Sequence, residues 1–214
     1  MPGTASQSVA LPEASGFRVP SRLPYVLALG LIGVAVVVLR SMGRVWWCSC
    51  AAPTPWIADI WSSHCSQHLL DAYTFSHISH GLLFFIAFGW LHAALPARWQ
   101  ARFTPGWWFF AAIALEVGWE VLENTPLVIE RYRGQTASLN YNGDSIGNSI
   151  GDILSCAAGF LIAWRIGAWR AFALFVAFEL LTLFWIRDNL TLNVVMLLHP
   201  IEAIKHWQTP ASLR

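Results

Sequence analysis

The sequence predicts an all-α membrane protein. It reads as a bundle of five transmembrane helices, six if one short apolar segment also crosses, around a polar intramembrane site. Three observations carry this. Hydrophobic residues make up 56% of the 214-residue chain and charged residues only 12%, where a soluble domain carries roughly 25%; the mean hydropathy is +0.51. The apolar residues fall into runs near the roughly 20 that a helix needs to cross a bilayer. Many of the 13 tryptophans stand at the ends of those runs, among them Trp46, Trp47, Trp107, Trp108, Trp164 and Trp169, where indole rings favour the headgroup level. The lipid bilayer is therefore the expected partner. A net charge of +1 leaves no basic patch for nucleic acid.

At this length a single domain over 22–208 is expected. Residues 1–21, rich in Pro, Ser, Ala and Gly, have no apolar period and read as a mobile tail. The first span, 24–40, lies between Arg22 and Arg40; no small-x-small cleavage site follows, so it reads as a retained signal anchor. A long loop, 41–70, precedes the second span, 74–95, which Pro96 and Arg98 end. Pro105 and Gly106 introduce the third span, 107–124, and Pro126 stops it because proline has no amide hydrogen for the ladder. A polar loop leads to Asp144 and the fourth span, 145–166; Gly167 separates this from the fifth, 169–186. Residues 190–201 are too short to cross and read as a re-entrant or interfacial helix, or as a tilted sixth span. Orientation is undetermined, since six basic residues would face one side and seven the other.

Acids on apolar helices need a reason. Glu116, Glu120 and Glu123 are spaced four and three apart and share one helix face, with Asn124 at its border. A charge at mid-bilayer costs about 3 kcal/mol even on the lenient insertion scale, so these groups need partners; Glu123 and Asn124 also fit a simple helix end. His77 and His80 are i, i+3 on the second span and can share a metal or pass a proton. With Glu120 they form a candidate ligand set for a divalent metal. Asp144, Asn148 and Asp152 follow at steps of four. Asp144 also fits an N-cap, whereas Asp152, two turns inside, needs Arg131, Arg133 or a histidine. Gly147 and Gly151 let another helix approach. The candidate catalytic set is His77, His80, Glu116, Glu120, Glu123, Arg131, Asp144, Asn148 and Asp152. His68, Asp71, Asn124, Arg133, Arg187, Asp188 and Asn189 are candidate accessory residues, and Glu179 is a lone acid that requires a cross-helix partner.

The loop adds Cys48-x-Cys50, His64, Cys65 and His68. Four such residues can hold zinc, but C-x-C is not the usual C-x2-C knuckle, and free or disulfide-paired cysteines are the competing reading. Cys48 and Cys50 are too close for a comfortable bridge, which leaves Cys65 to pair with either in an oxidising compartment. Cys156 reads as packing.

Four motifs then resemble a known family: SQHLLDAYTFSHISHG at 66–81, EVLEN at 120–124 with ERYR at 130–133, NGDSIGNS at 142–149 and RDNLTLN at 187–193. Together they look like uncharacterised protein family 0314, over roughly residues 40–208. The resemblance implies a multi-pass protein of the bacterial inner membrane and assigns no activity. A looser likeness, to VanZ-like membrane proteins, rests on a Glu…Arg…Asp-x3-Asn pattern at Glu120 or Glu123, Arg131 or Arg133, Asp144 and Asn148. From the residues themselves, the expected function is a metal- or acid/base-dependent intramembrane hydrolase acting on a lipid-linked or peptide substrate. The alternatives are a proton-coupled small-molecule transporter and a ligand-binding or structural membrane protein. Homo-oligomerisation would supply further helices.

Overall fold

The computed structural model describes residues 22–135 and 141–210; the expected tail at 1–21 lies outside them. Nine helices are found among the described residues: α1 Leu23–Ser41, α2 Thr74–Ala94, α3 Ala97–Gln100, α4 Pro105–Glu123, α5 Pro126–Gln135, α6 Ile146–Ile166, α7 Ala168–Ile186, α8 Leu190–Leu198 and α9 Glu202–Gln208. A two-residue parallel pair, β1 Trp56–Ile57 with β2 Leu70–Asp71, ties the loop between α1 and α2 to itself. The five long helices fall where the apolar runs put them.

Four of them, α1, α2, α6 and α7, are long and apolar enough to cross a membrane. The fourth-numbered helix, α4, matches α1 in length at 19 residues but is not among them, because Glu116, Glu120 and Glu123 dilute its hydrocarbon. The polar connection after it is not wholly a loop. Pro126 ends α4 and also opens α5, since a proline at the first helical position forfeits only an amide that would lack a partner anyway.

The sixth helix, α6, is the axis of the bundle. It is 61% buried over its apolar window, against 33% for α2, 22% for α1 and 17% for α7. Its main neighbour is α2, with α4 next; α1 packs on α4, and α7 on α2. Glycines set the α2–α6 approach. A Cβ on Gly81 would run into the Cys156 carbonyl, and one on Gly159 into the Ile78 carbonyl. Gly151 abuts the Leu69 carbonyl and Gly147 the Trp47 ring. Those last two therefore admit the loop rather than a helix, contrary to the sequence reading. Since Leu69 and Ile78 meet Gly151 and Gly159 in the same chain order, α2 and α6 run parallel and begin at the same end. The exterior stays apolar: Leu29 and Val37 on α1, and Trp169 and Phe184 on α7, are all exposed.

The polar connections gather at that shared end. The backbone amides of Ser145, Ile146 and Gly147 donate to the carbonyls of Ser66, Val45 and Trp46. Gln67 donates to the Gly143 carbonyl at 2.8 Å. Loop 42–73 thus forms a cap over the N-termini of α2 and α6. Glu179, the lone acid of α7, finds its partners at the start of α8, accepting from the Leu190 and Thr191 amides at 2.9 and 3.0 Å. It caps a helix whose first amides have no intrahelical acceptor.

Candidate functional site

Helical spacing puts His77 and His80 on one face of α2, and Glu116 meets them from α4. His77 Nδ1 lies 2.6 Å from Glu116 Oε1, and His80 Nδ1 2.9 Å from Oε2. Glu116 is fully buried. One carboxylate therefore orients two imidazoles, and donation from both Nδ1 atoms leaves Nε2 as the basic nitrogen of each ring. The third wall is α6, where Asp152 Oδ2 stands 3.8 Å from His77 Nε2. Glu120, also fully buried, has His77 Nδ1 at 3.5 Å as its nearest ionic neighbour. Neither of its oxygens has a hydrogen-bond partner among the described residues, and the same is true of Asp152 Oδ1.

All of these groups except Glu120 line a cavity of about 270 Å³. His77, His80, Glu116, Glu123 and Asp152 line it from the helices, and Asp144 from the α5–α6 connection. The cap contributes Trp61, Cys65 and Asp71, and α8 contributes Leu190, Asn193 and Val194. Three of the chain's four tyrosines, Tyr73, Tyr132 and Tyr141, also line it. Sequence reasoning missed them; their scarcity elsewhere, beside the acidic motifs, was the available signal.

Asp144 and Asn124 turn out to be joined. Asn124 Nδ2 donates to Asp144 Oδ2 at 2.8 Å, and the Asp144 amide returns a 2.8 Å bond to Asn124 Oδ1. The Tyr141 hydroxyl donates to Asp144 Oδ1 at 3.0 Å. Ser145, not Asp144, caps α6, accepting from the Asn148 amide at 3.1 Å. Burial pushes the Asp144 carboxyl up to about 6, against the lowering effect of Asn124 and Tyr141. A folded pKa above the unfolded 3.8 favours the protonated acid in the fold. The associated stability is complete below about pH 4 and lost as pH rises through about 6, some 3 kcal/mol in all. Asp144→Asn does not titrate, so its unfolding midpoint relative to wild type should rise between pH 4 and 7. A pH-independent difference would contradict the shift.

Other candidates lie elsewhere. Arg131, expected against an acid, instead donates to the Leu197 and Leu198 carbonyls of α8 at 2.8 and 3.1 Å. Arg133 donates to the Tyr141 carbonyl and Asn142 Oδ1, both at 2.7 Å. The turn at 187–189 braces α9 and the cap: Asp188 accepts from Tyr73 and Gln208, Arg187 Nη1 reaches the Trp207 carbonyl, and Asn189 caps α8. Burial raises the Asp188 carboxyl to about 6. Asn148 is buried in α6 and does not line the cavity. Asp71 accepts from the Ser66 and Tyr73 amides at 2.9 and 2.7 Å, which fixes the cap's return into α2. His68 lies in the cap, away from the cavity. The sulfurs of Cys48 and Cys50 touch as a disulfide pair, and Cys65, read as a bridge partner, is free.

Two triads hold donor atoms within 4.8 Å of one another: His77, His80 and Glu116, and His77, Glu120 and Glu123. The sequence-derived set of His77, His80 and Glu120 is thus altered, with Glu116 rather than Glu120 facing both histidines. A histidine pair plus a carboxylate is a donor set that suits a divalent ion.

Fold and site define a class: an all-α protein with four membrane-length apolar helices and a buried histidine–carboxylate cavity at one end. Within it, the chain belongs to the family described as "Protein of unknown function (DUF2585)", whose model matches residues 39–210. Its relatives include the UPF0314 proteins of Sphingopyxis alaskensis (45% identical over 188 residues, 88% of this chain and 96% of the relative) and Rhizobium meliloti (45% over 181 residues, 84% and 87%). That of Agrobacterium fabrum is 42% identical over 197 residues, 92% of this chain and 95% of the relative. No solved structure matches the chain.

Proposed function

We propose that this is a multi-pass protein of the bacterial inner membrane and that its cavity is the active site of a hydrolase acting on a lipid-linked or peptide bond. The observation that carries the reading is the two-histidine grip on Glu116 at the wall of a cavity also lined by Glu123 and Asp152. Four membrane-length helices with an apolar exterior support the location. In the proposed mechanism, Glu116 holds Nδ1–H of His80 so that Nε2 takes a proton from attacking water. Asp152 or Glu123 returns a proton to the leaving group. A divalent ion on His77, His80 and Glu116 would instead supply Lewis acidity from the same donors. The apolar flanks, Phe84 and Trp119 beside His80, suit a substrate with a hydrocarbon tail.

The test is turnover by purified, detergent-solubilised protein on a panel of lipid phosphoesters, acyl esters and membrane-anchored peptides, with and without added divalent metal. Wild type should hydrolyse one class, and His80→Ala should lose at least about 100-fold, the usual worth of a positioned acid–base group. Equal turnover by wild type and His80→Ala would overturn the assignment. A proton-coupled transporter is the second reading, favoured by the Glu116–His77–Asp152 row as a proton path. Proton-driven uptake into proteoliposomes, absent from His77→Ala, would support it over hydrolysis.

A further inference from the structure

A second cluster of metal-ligating side chains lies in the cap, outside the cavity. Cys48, Cys50, His64 and His68 each bring one donor atom within 4.8 Å of the other three. Two sulfurs and two imidazoles are a complete tetrahedral set for a zinc-class ion. We propose that these four residues bind one such ion, and that it clamps the two arms of the cap, residues 46–57 and 60–71, together over the cavity mouth.

The tautomer of His68 is fixed in favour of ligation. Its Nδ1 lies 2.6 Å from the Thr54 carbonyl, and an oxygen with no proton can only accept, so Nδ1 carries the hydrogen. The basic Nε2 is then the nitrogen directed at Cys50 Sγ, 3.5 Å away. A ring nitrogen pinned by a backbone carbonyl while the other faces the metal position is the usual support of a metal-bound histidine. The ring is buried and packs edge-on against Trp47, with centroids 5.5 Å apart. His64 Nδ1 lies 3.1 Å from Cys48 Sγ. The Cys50 amide donates to Cys48 Sγ at 3.3 Å, a contact that stabilises a thiolate.

The backbone is bent to make this convergence. Only three non-glycine residues among those described have positive φ, and two of them lie in the two arms: Ala51 at 55°, directly after Cys50, and Ser66 at 58°, between His64 and His68. Such a conformation is strained for a residue with a side chain and persists where the surroundings over-determine it. Ligation of one ion by both arms would over-determine both bends. The C-x-C spacing, shorter than the usual knuckle, is accommodated because the partner pair comes from a separate turn and not from the same hairpin. Cys48 and Cys50 are also placed to join as a disulfide, so ligation requires the reduced chain: two-electron oxidation of the dithiol would remove two of the four ligands.

The site places the ion where it affects the cavity without touching it. Cap residues Trp61, Cys65 and Asp71 line the cavity and belong to the arm that His64 and His68 anchor. The ion is thus a structural clamp, and its presence does not depend on what the cavity does.

Cobalt titration tests this. Full-length protein in detergent, reduced and stripped by chelator, should bind one equivalent of Co²⁺ with a thiolate-to-cobalt charge-transfer band, and Zn²⁺ should bleach it. The cavity triads offer only imidazole and carboxylate donors, and Cys65→Ala removes the thiol on the cavity lining, so a band that survives in Cys65→Ala belongs to the cap and failure of one site is distinguishable from failure of the other. Cys50→Ser and His68→Ala should abolish or shift the band, while Cys65→Ala, His80→Ala and Glu116→Gln should keep it. Pre-oxidised protein should show none. Absence of the band in reduced wild-type protein, or its survival unchanged in Cys50→Ser, would overturn the proposal; the wild-type titration decides even where a variant fails to fold.

Discussion

Glu116→Leu should destabilise the fold by about 3 kcal/mol, measured as a shift in the reversible unfolding transition in detergent. The volume is nearly kept, so no cavity opens. What is lost is the shared acceptor of two imidazoles, His77 buried and His80 half-buried, and a buried donor left without a partner costs about 1–3 kcal/mol. The geometry gives two such donors, at 2.6 and 2.9 Å. Glu116→Gln keeps one acceptor and should cost about half as much. If the buried polar cluster is there for chemistry, replacing the whole of it by hydrocarbon should recover stability, as happens when buried ion pairs are exchanged for apolar residues. The triple variant His77→Leu, His80→Phe, Glu116→Leu should therefore be more stable than Glu116→Leu alone while remaining inactive. A Glu116→Leu protein as stable as wild type would mean that the histidines find other partners and that the grip is incidental.

How much of this was legible follows from the range of the interactions. The i, i+3 histidines and the i, i+4 acids declared themselves, because helical periodicity fixes which side chains share a face. Asp152 stood out because two turns of apolar helix exclude a capping role. Which face meets which is a property of packing, which local spacing does not encode. Arg131 looked like the natural counterion of the acids, yet it is used on the carbonyl end of α8. Carbonyls at a helix C-terminus attract a guanidinium as a carboxylate does, and nothing local distinguishes the two. Asn124 and Asp144 each fit an ordinary helix end in sequence; their reciprocal pairing across 20 positions depends on α5 folding back, and the apolar residues of α5 span too few turns to show a helical period. The cap cysteines and histidines were visible as types. Their convergence was not, because it rests on two left-handed residues, Ala51 and Ser66, that no propensity would place there.

Gly81→Ala and Gly159→Ala should each cost about 2–3 kcal/mol, at the upper end of ordinary overpacking. The added methyl meets backbone in both cases: the Cys156 carbonyl and Phe160 amide from Gly81, the Ile78 carbonyl from Gly159. A side chain could rotate aside, but a helix backbone can yield only by moving the helix. Gly81 on α2 and Gly159 on α6 press on the same seam from opposite sides, so a single outward shift of α2 relieves both. The double variant should thus cost about 3–4 kcal/mol, less than the sum, as expected for coupled neighbours. The same shift would carry His77 and His80, each within a turn of Gly81, away from Asp152 on α6, opening the 3.8 Å gap between His77 Nε2 and Asp152 Oδ2. Activity should accordingly fall in both single variants by more than the loss of folded protein explains, whereas Gly118→Ala, exposed on α4 with open space for an added Cβ, should leave activity unchanged and cost no stability, since alanine favours a helix interior over glycine by up to about 1 kcal/mol. Additive costs in the double variant would mean that the two glycines relax independently and that the α2–α6 seam does not move as a unit.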